Sequence, residues 1–328
     1  MKIVEFEKDG SGQRIERMKI LEFDGAKEWK PSRPQETGVS LDTRLAVPAA
    51  LSTGLKMHVL DLGKLRLDKN LIVAHSTIAT PREPNPPGQL IDIPMSGYLI
   101  EHSDGNILYD TGCHPDWSGP NGRWPSRLQE LFPVVSGEEC FLPSRLDALG
   151  IAPNQIRHVV LSHLHCDHAG CVEYFKKSQI IVHEDEFSSA LTRVAVRDQS
   201  TAYAPKDLET WSRLDLNWRL IGRTEPDQTI ADGVRLLNFG SGHSYGMLGL
   251  SVKLRSEPGV LLVSDACYTA ENFGPPIRQP GINLDSIGTA RTLQRIAALA
   301  HETRAQVWFG HDAAQFNQVR KSSEGWYE

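Results

Sequence analysis

The segment "SHLHCDHAG", residues 162–170, crowds costly polar side chains into a short piece of an otherwise ordinary chain. It holds three histidines and an aspartate within six positions: His163, His165, Asp167 and His168. Upstream, "IRHVVLSH" (156–163) is an apolar, β-branched run of strand length. Downstream, "DHAGCVEYFKK" (167–177) begins with an N-cap candidate and continues with helix-compatible residues, which predicts a helix. The polar cluster is therefore expected on a strand-to-helix turn, at the kind of sheet edge where α/β proteins bind ligands.

Three later positions carry polar groups at the ends of apolar strands, where apolar residues would be expected. They are His243 in "FGSGHSYG", Asp265 in "VLLVSDACY" and His311 in "VWFGHD". Each alone fits a satisfied core or capping residue, and the histidines of the turn could be surface residues. Together the two groups provide five histidines and two aspartates. Neutral imidazole and carboxylate are ligands of zinc and similar metals, so the sequence predicts a site for two metals that share a bridge.

The composition is that of a soluble globular protein. The chain has 328 residues, a formal net charge of −6, 40% hydrophobic and 23% charged residues. The acidic balance argues against a nucleic-acid-binding surface. No apolar run approaches the about 18 residues expected of a membrane-spanning helix, and the charged N-terminus is not typical of a secretory signal. Five cysteines without a framework spacing favour a reducing compartment, so we expect a cytoplasmic protein that binds no membrane.

The chain is predicted to have an N-terminal arm or extension, residues 1–54, and a catalytic domain, residues 55–328. The arm is polar and weakly periodic, with "KEWKPSRPQETG" (27–38) as its most irregular part. It could be a partly ordered leader or could pack on a neighbouring subunit in a homodimer. A long stretch without periodicity, residues 114–141, is expected to be a functional loop.

Within the domain, strands and helices alternate with hairpins, which favours two mixed sheets covered by helices. Asp104-Gly105 predicts a β-hairpin, and "PSRLDALGI" (143–151) predicts a helix ended by Gly150. The clearest amphipathic helix is residues 286–303. The stretches 105–114 and 259–268 both run from a glycine through an apolar strand to an aspartate, which fits two similar halves.

The order of these motifs resembles a known family. H-x-H-x-D-H followed by Gly-His, Asp and a second Gly-His resembles the metallo-β-lactamase superfamily. "SHLHCDHAG", "SDACYTAENFG" and "FGHD" further resemble the N-acyl homoserine lactonases, which carry a tyrosine three residues after the bridging aspartate. Here that tyrosine is Tyr268, after Asp265. The likeness covers about residues 55–315.

The resemblance implies a fold and a set of metal ligands. The fold would be an αββα sandwich of two mixed β-sheets flanked by helices, with the site at one edge between the sheets. The first metal would be held by His163, His165 and His243. The second would be held by Asp167, His168 and His311, with Asp265 bridging the two. The cofactors would be two divalent ions, zinc foremost, with iron, cobalt or manganese as substitutes.

The implied activity is that of a metal-dependent hydrolase which opens the lactone ring of a small molecule, an N-acyl homoserine lactone, and so degrades a quorum signal. A metal-bridging hydroxide would attack the carbonyl, since catalytic zinc lowers the pKa of water to about 7. Tyr268 would donate a hydrogen bond to the carbonyl oxygen, and Asp167 would protonate the leaving alkoxide. Asp110 is expected either to orient a ligand histidine or to serve as a turn residue before Gly112.

Some alternatives stay open at this point. The family's aromatic residue between the second histidine and the aspartate is Cys166 here, and "GHSYGM" (242–247) differs from the family's usual "GHSPGH". Cys166 and Cys267 could supply thiolate ligands, although the nitrogen and oxygen set is already complete. The same centre could hydrolyse another lactone, a thioester or a β-lactam. A non-catalytic binding protein of this fold would be expected to have lost a ligand.

Overall fold

The computed structural model describes residues 3–8, 14–21, 54–198, 200–255 and 258–328, and the chain divides into two units, Met1–Ala50 and Leu51–Glu328. In the first unit, strand β1 (Ile3–Lys8) pairs antiparallel with strand β2 (Arg14–Leu21). The irregular segment 27–38 lies outside the described residues. The boundary after residue 54 stays a prediction.

The second unit contains the remaining helices and strands. Its strands are β3 (Lys56–Asp68), β4 (Leu90–Glu101), β5 (Asn106–Tyr109), β6 (Ile156–Val160), β7 (Gln179–His183), β8 (Asn217–Ile221), β9 (Gln228–Ala231), β10 (Val234–Gly240), β11 (Met247–Val252), β12 (Val260–Ser264) and β13 (Gln306–Phe309). Its α-helices are α1 (Lys69–Ile72), α2 (Ser126–Leu131), α3 (Leu142–Leu149), α4 (Glu184–Ala195), α5 (Pro205–Ser212), α6 (Ala270–Phe273), α7 (Ser286–Thr303) and α8 (Ala313–Phe316). Single 3₁₀ turns are formed by Glu138–Cys140, Pro153–Gln155 and Val172–Tyr174.

The strands of the second unit form two mixed sheets. The six-stranded sheet has the order β3-β4-β5-β6-β7-β8, antiparallel from β3 to β5 and parallel from β5 to β8. The five-stranded sheet has the order β13-β12-β11-β10-β9, in which only β12 and β13 run parallel. The predicted pair of mixed sheets is therefore confirmed.

Side-chain alternation along each strand produces the layers. On β5, Ile107 and Tyr109 are buried in the cluster that joins the two sheets, whereas Leu108 points to the cluster on the opposite face. On the outer face of the five-stranded sheet, Leu293 and Ile296 of α7 pack over Leu237. The layers are helix, sheet, sheet, helix, which confirms the predicted αββα sandwich.

The structure confirms the predictions that depended on short-range sequence signals. The Asp104-Gly105 hairpin joins β4 and β5, and Gly105 has a φ of +112°. Helix α3 ends at Gly150, whose φ of +69° lets its amide bond the last carbonyls of the helix. The stretch 114–141 is largely irregular, as expected, but contains α2 and one 3₁₀ turn.

The helix expected after Asp167 is wrong, because residues 167–177 form turns and one 3₁₀ turn instead. Their backbone amides bond to the segment after β5: Gly170 N donates to Gly112 O at 2.8 Å, and Cys171 N donates to the Thr111 side chain at 3.1 Å. A Cβ at Gly170 would lie 2.3 Å from His114 N, so the two segments touch through a glycine. Tertiary hydrogen bonds therefore replace the helical ones.

All five cysteines are free thiols. Among the described helices, none combines the length and the apolar character that crossing a bilayer requires.

Gly150→Ala should destabilise the protein by about 1 kcal/mol, because an L side chain is strained at this positive φ even though nothing obstructs a Cβ there. Chemical denaturation measures the change. Gly54→Ala is the matched control, since Gly54 has neither a positive φ nor a close neighbour, and it should stay within about 0.5 kcal/mol of the parent. Equal stability of the two variants would contradict the role of Gly150.

Candidate metal centre

The predicted ligands come from segments distant in sequence that meet at one edge of the sandwich. The turn after β6 carries His163, His165, Asp167 and His168. The loop between β10 and β11 carries His243, while Asp265 follows β12 directly and His311 follows β13. The structure brings all seven together. Five are buried, whereas His165 and Asp167 are half-buried.

The first group, which we name the histidine trio, consists of His163, His165 and His243. The Nε2 atom of His243 lies 3.2 Å from His163 Nε2 and 2.9 Å from His165 Nδ1. Burial lowers the pKa of His163 well below its ordinary value, that of His165 to about 3, and that of His243 as well. The three imidazoles are therefore neutral near pH 7, and their lone pairs can bind a cation without first losing a proton.

The second group, the mixed trio, consists of Asp167, His168 and His311. Asp167 Oδ2 lies 3.4 Å from His168 Nε2 and 3.7 Å from His311 Nε2. Burial opposes protonation of His168, but Asp167, Asp265 and Asp110 raise its pKa well above the ordinary value. The Asp167 carboxylate of this trio and the nearby carboxylates of Asp265 and Asp110 therefore favour positive charge at this position.

Asp265 lies between the two trios. Its Oδ2 is 3.7 Å from His163 Nε2 and 3.3 Å from His243 Nε2. Its Oδ1 is 3.3 Å from His168 Nε2 and 3.0 Å from His311 Nε2. One carboxylate oxygen thus faces each trio, which is the arrangement a bridging ligand needs.

Two buried polar atoms test whether these residues fit a metal. Asp265 Oδ1 and His168 Nε2 are buried and have no hydrogen-bond partner, which is costly for polar atoms. Ligand atoms of each trio, and of the group formed by His163, His168 and Asp265, lie within 4.8 Å of one another. A cation at each trio would satisfy these atoms, so the donor set fits two divalent ions.

Asp110 supports both trios from beneath. It is buried, has a φ of +59° and accepts bonds from His168 Nδ1 at 2.9 Å and Ser162 Oγ at 2.8 Å. Ser162 Oγ in turn lies 2.9 Å from His163 Nδ1. Ser264, with a φ of +46°, donates to the same carboxylate at 3.1 Å. The contact with His168 supports the expectation that Asp110 orients a predicted ligand histidine.

Tyr268 lies beside the histidine trio. It is buried, and its hydroxyl is 2.8 Å from His243 Nδ1, which also approaches Ile282 O at 3.3 Å. With Nε2 of His243 facing the trio, Nδ1 carries the proton and the phenol oxygen accepts it. The phenol's own proton then has the Asp265 carboxylate as an acceptor within hydrogen-bonding reach.

The two cysteines considered as ligands lie outside the metal-ligating groups of the described residues. Burial raises the pKa of the Cys166 thiol well above its ordinary value, so it stays protonated. Cys267 Sγ approaches Thr269 O at 3.5 Å. Neither thiol belongs to a group of converging ligand atoms among the described residues.

A cavity of about 390 Å³ adjoins the site and shares His165 and His243 with it. Its apolar side is lined by Leu71, Leu128, Leu131, Phe132, Ile282 and Leu284. A smaller inner recess of about 30 Å³ reaches Asp167, Asp265, Tyr268 and His311, and Cys166 lines it together with Trp124. An acyl-bearing molecule could thus place its polar end at the trios and its chain along the apolar side.

Comparison with known proteins assigns the family. A model described as the metallo-beta-lactamase superfamily matches residues 94–302. The chain belongs to this superfamily. Among its curated relatives, N-acyl homoserine lactonase AiiB of Agrobacterium fabrum is 53% identical over 275 residues, 84% of this chain and 100% of AiiB. The corresponding AiiB of Rhizobium rhizogenes is 52% identical with the same coverage. The chain therefore also belongs to the N-acyl homoserine lactonase family, as the sequence motifs indicated.

Solved structures of N-acyl homoserine lactonases also resemble this chain. A Bacillus thuringiensis AiiA mutant with N-decanoyl-L-homoserine bound at its active site is 27% identical, with a TM-score of 0.69 over 82% of this chain and 98% of AiiA. AidC, described as a dizinc quorum-quenching lactonase, is 14% identical with a TM-score of 0.57, which shows a shared fold.

The sequence identified the seven side chains that meet here but missed several residues that contact them. Ser162 and Ser264 immediately precede predicted ligands, and that adjacency was the available signal. No sequence signal marked Glu186 or Tyr203. They lie in ordinary helix and loop sequence, and only the folded structure brings them next to the site.

Asp265→Asn should lose more bound metal than Asp110→Asn, because it removes charge facing both trios whereas Asp110 acts through imidazoles. Losses from such outer residues are typically about 10- to 100-fold in metal affinity. Elemental analysis measures the retained metal, and protein purified without added metal should approach about two equivalents, one per trio. Equal losses in the two variants would count against the bridging position of Asp265.

Proposed function

We propose that this enzyme hydrolyses the lactone ring of N-acyl homoserine lactones with two divalent ions, zinc foremost, held by the histidine trio, the mixed trio and Asp265. The observation that carries the proposal is Asp265, whose two oxygens face different trios beside a cavity with an apolar side. Family membership supports the same activity, since the AiiB relatives are N-acyl homoserine lactonases.

Divalent ions bound here would polarise the lactone carbonyl and lower the pKa of a water to about 7, which supplies a nucleophile at neutral pH. The protein's own contribution begins with the neutral histidine trio and the ionised carboxylates. These groups hold the reacting centre in a water-poor recess, where electrostatic stabilisation is stronger than in bulk water.

Asp167 is assigned to proton transfer. Burial opposes its ionisation, but His168 and His311 lower its pKa to about 2, so it begins the reaction as a carboxylate. Its Oδ2 faces those two histidines, and we assign Oδ1 to receive the proton released by the attacking water. The same oxygen returns this proton to the alkoxide that leaves when the ring opens.

Tyr268 is assigned to the carbonyl oxygen. Burial raises the pKa of its phenol well above the ordinary value, so it remains a hydrogen-bond donor at neutral pH. In the tautomer of His243 that leaves Nε2 free for a metal, Nδ1 donates to the phenol oxygen. The phenol proton can then turn from Asp265 toward the charge that develops on the carbonyl.

The acyl chain is assigned to the apolar side of the 390 Å³ cavity. Phe132 and Ile282 line both this cavity and the inner recess, so the chain can run continuously from the trios to Leu131 and Leu284 at the exposed end. Cys166 stands in the recess where relatives carry an aromatic ring. Beside this smaller side chain, the aromatic rings that line the recess are those of Trp124, Phe132 and Tyr268.

The cytoplasmic location and the homodimer expected from the sequence stay predictions.

The substrate assignment is tested with a panel assayed by proton release in a pH-stat. The panel contains N-acyl homoserine lactones of several chain lengths, simple lactones, thioesters and β-lactams. We expect kcat/KM for an N-acyl homoserine lactone to exceed that for the other classes by at least about tenfold, because only that class fills both the recess and the apolar cavity. Chelator treatment should abolish turnover and added zinc should restore it. A thioester or β-lactam hydrolysed faster than any lactone would refute the assignment.

Tyr268→Phe should keep the metals and the fold but lower kcat by about 10²- to 10³-fold, the usual cost of losing one donor to a developing oxyanion. Steady-state kinetics on an N-acyl homoserine lactone measures this effect. Tyr174→Phe is the control, because its hydroxyl contacts His114 away from the trios, at 3.2 Å, and its kcat should be unchanged. If Tyr268→Phe retains kcat within about twofold, the tyrosine has no catalytic part.

A further inference from the structure

A buried carboxylate that the proposed mechanism does not use lies under the histidine trio. Glu186, the third residue of α4, has no exposed surface. Its Oε1 accepts the Leu164 amide at 3.0 Å and the Tyr203 hydroxyl at 3.1 Å. Its Oε2 accepts the Ser244 hydroxyl at 2.6 Å and the Gly246 amide at 3.3 Å. A fully buried carboxylate is costly, so a site that surrounds one with four donors needs an explanation.

The identity of those donors supplies the explanation. Leu164 stands between His163 and His165, and Ser244 directly follows His243. One oxygen of Glu186 thus holds the turn after β6, and the other holds the loop between β10 and β11. These two segments carry the whole histidine trio, although His243 lies 78 residues from His165 in sequence.

Tyr203 extends the same arrangement. Its ring packs against His165, with ring centroids 5.3 Å apart, while its hydroxyl lies 3.2 Å from Ser244 Oγ as well as bonding Glu186. Tyr203 also lines the substrate cavity. The half-buried His165 therefore packs against a ring whose hydroxyl is bonded to Glu186.

The mixed trio does not share this support. Outside the trio, His168 Nδ1 bonds Asp110 over 2.9 Å, and His311 Nδ1 bonds Pro94 O over 2.8 Å. Asp110 also reaches His163 through Ser162, so it serves both trios. The donors to Glu186, in contrast, stand next to members of the histidine trio, so removing Glu186 should affect that trio more than the mixed trio.

We propose that Glu186 is a positioning residue that sets the affinity of the histidine trio for its metal, by clamping the two segments that carry His163, His165 and His243. The inference rests on the proposed two-metal centre and adds to it a separate control of one of its sites.

The test is Glu186→Gln, which keeps the size of the side chain but replaces one acceptor oxygen with an amide that cannot accept from the two donors facing it. Zinc affinity is measured by chelator competition, which yields one constant for each site. The constant for the histidine trio should weaken by about 10- to 100-fold, while that for the mixed trio stays within about threefold. His165→Ala identifies which constant belongs to the histidine trio. Cobalt(II) absorption bands of the two sites give a second, independent readout.

Glu184→Gln is the matched control. Glu184 lies in the same first turn of α4 and is exposed, so this variant reproduces any loss of charge at the helix N-terminus without touching the trio. Both of its zinc constants should equal those of the parent.

Ser244→Ala covers the case in which Glu186→Gln fails to fold. It removes the 2.6 Å bond to Glu186 together with the 3.2 Å contact to the Tyr203 hydroxyl, and it leaves the carboxylate three donors. It should weaken the histidine trio selectively but less than Glu186→Gln does. The double variant should lose less than the sum of the two single losses, because both act through one contact.

Folded Glu186→Gln or Ser244→Ala protein with both constants within about threefold of the parent would overturn the inference, as would equal weakening of both sites. In either case a parent that binds two zinc ions leaves the proposed centre intact. A parent that binds fewer would reject the centre itself.

Discussion

A single buried carboxylate, shared between two groups of histidines, organises this molecule. Asp265 directs one oxygen to His163 and His243 and the other to His168 and His311, at distances between 3.0 and 3.7 Å. Such a contact is possible only where the edges of two sheets meet, because its partners follow β6, β10 and β13. The sandwich therefore has to close before the centre exists. The left-handed turn at Ser264 delivers Asp265 to that edge.

Burying so many polar groups is tolerable because a second layer of buried groups determines their orientation. Asp110 serves His168 directly and His163 through Ser162. Glu186 serves the segments on either side of the histidine trio. Each of these carboxylates is surrounded by hydrogen-bond donors, which offsets much of its desolvation cost. The ligand groups are thus held close to binding geometry by the protein rather than by a metal alone.

The 390 Å³ cavity beside the trios depends on a different contact, which anchors the loop of residues 114–141. Arg123 Nη2 bonds Glu173 at 2.8 Å, and its Nη1 bonds the buried Asp207 at 3.1 Å. Directly beyond Arg123 the loop supplies Trp124 to the recess and then Phe132 to the cavity. This partly buried ion-pair network holds in place a long segment that has little regular secondary structure of its own.

The amino-acid sequence by itself determined the hairpin at Asp104-Gly105, the end of α3 at Gly150, the family, and which seven side chains meet at the edge of the sandwich. Each of these follows from a few adjacent residues or from the order of the motifs. The tertiary structure alone decided the rest. It replaced the helix expected after Asp167 by turns whose amides bond the segment after β5, placed the Tyr268 hydroxyl on His243, and put Glu186 beneath the histidine trio. The physical reason is the range of the interactions. Periodicity and turn chemistry act between neighbours in sequence, whereas a buried hydrogen bond can join groups at any separation and is formed only once the sheets have packed.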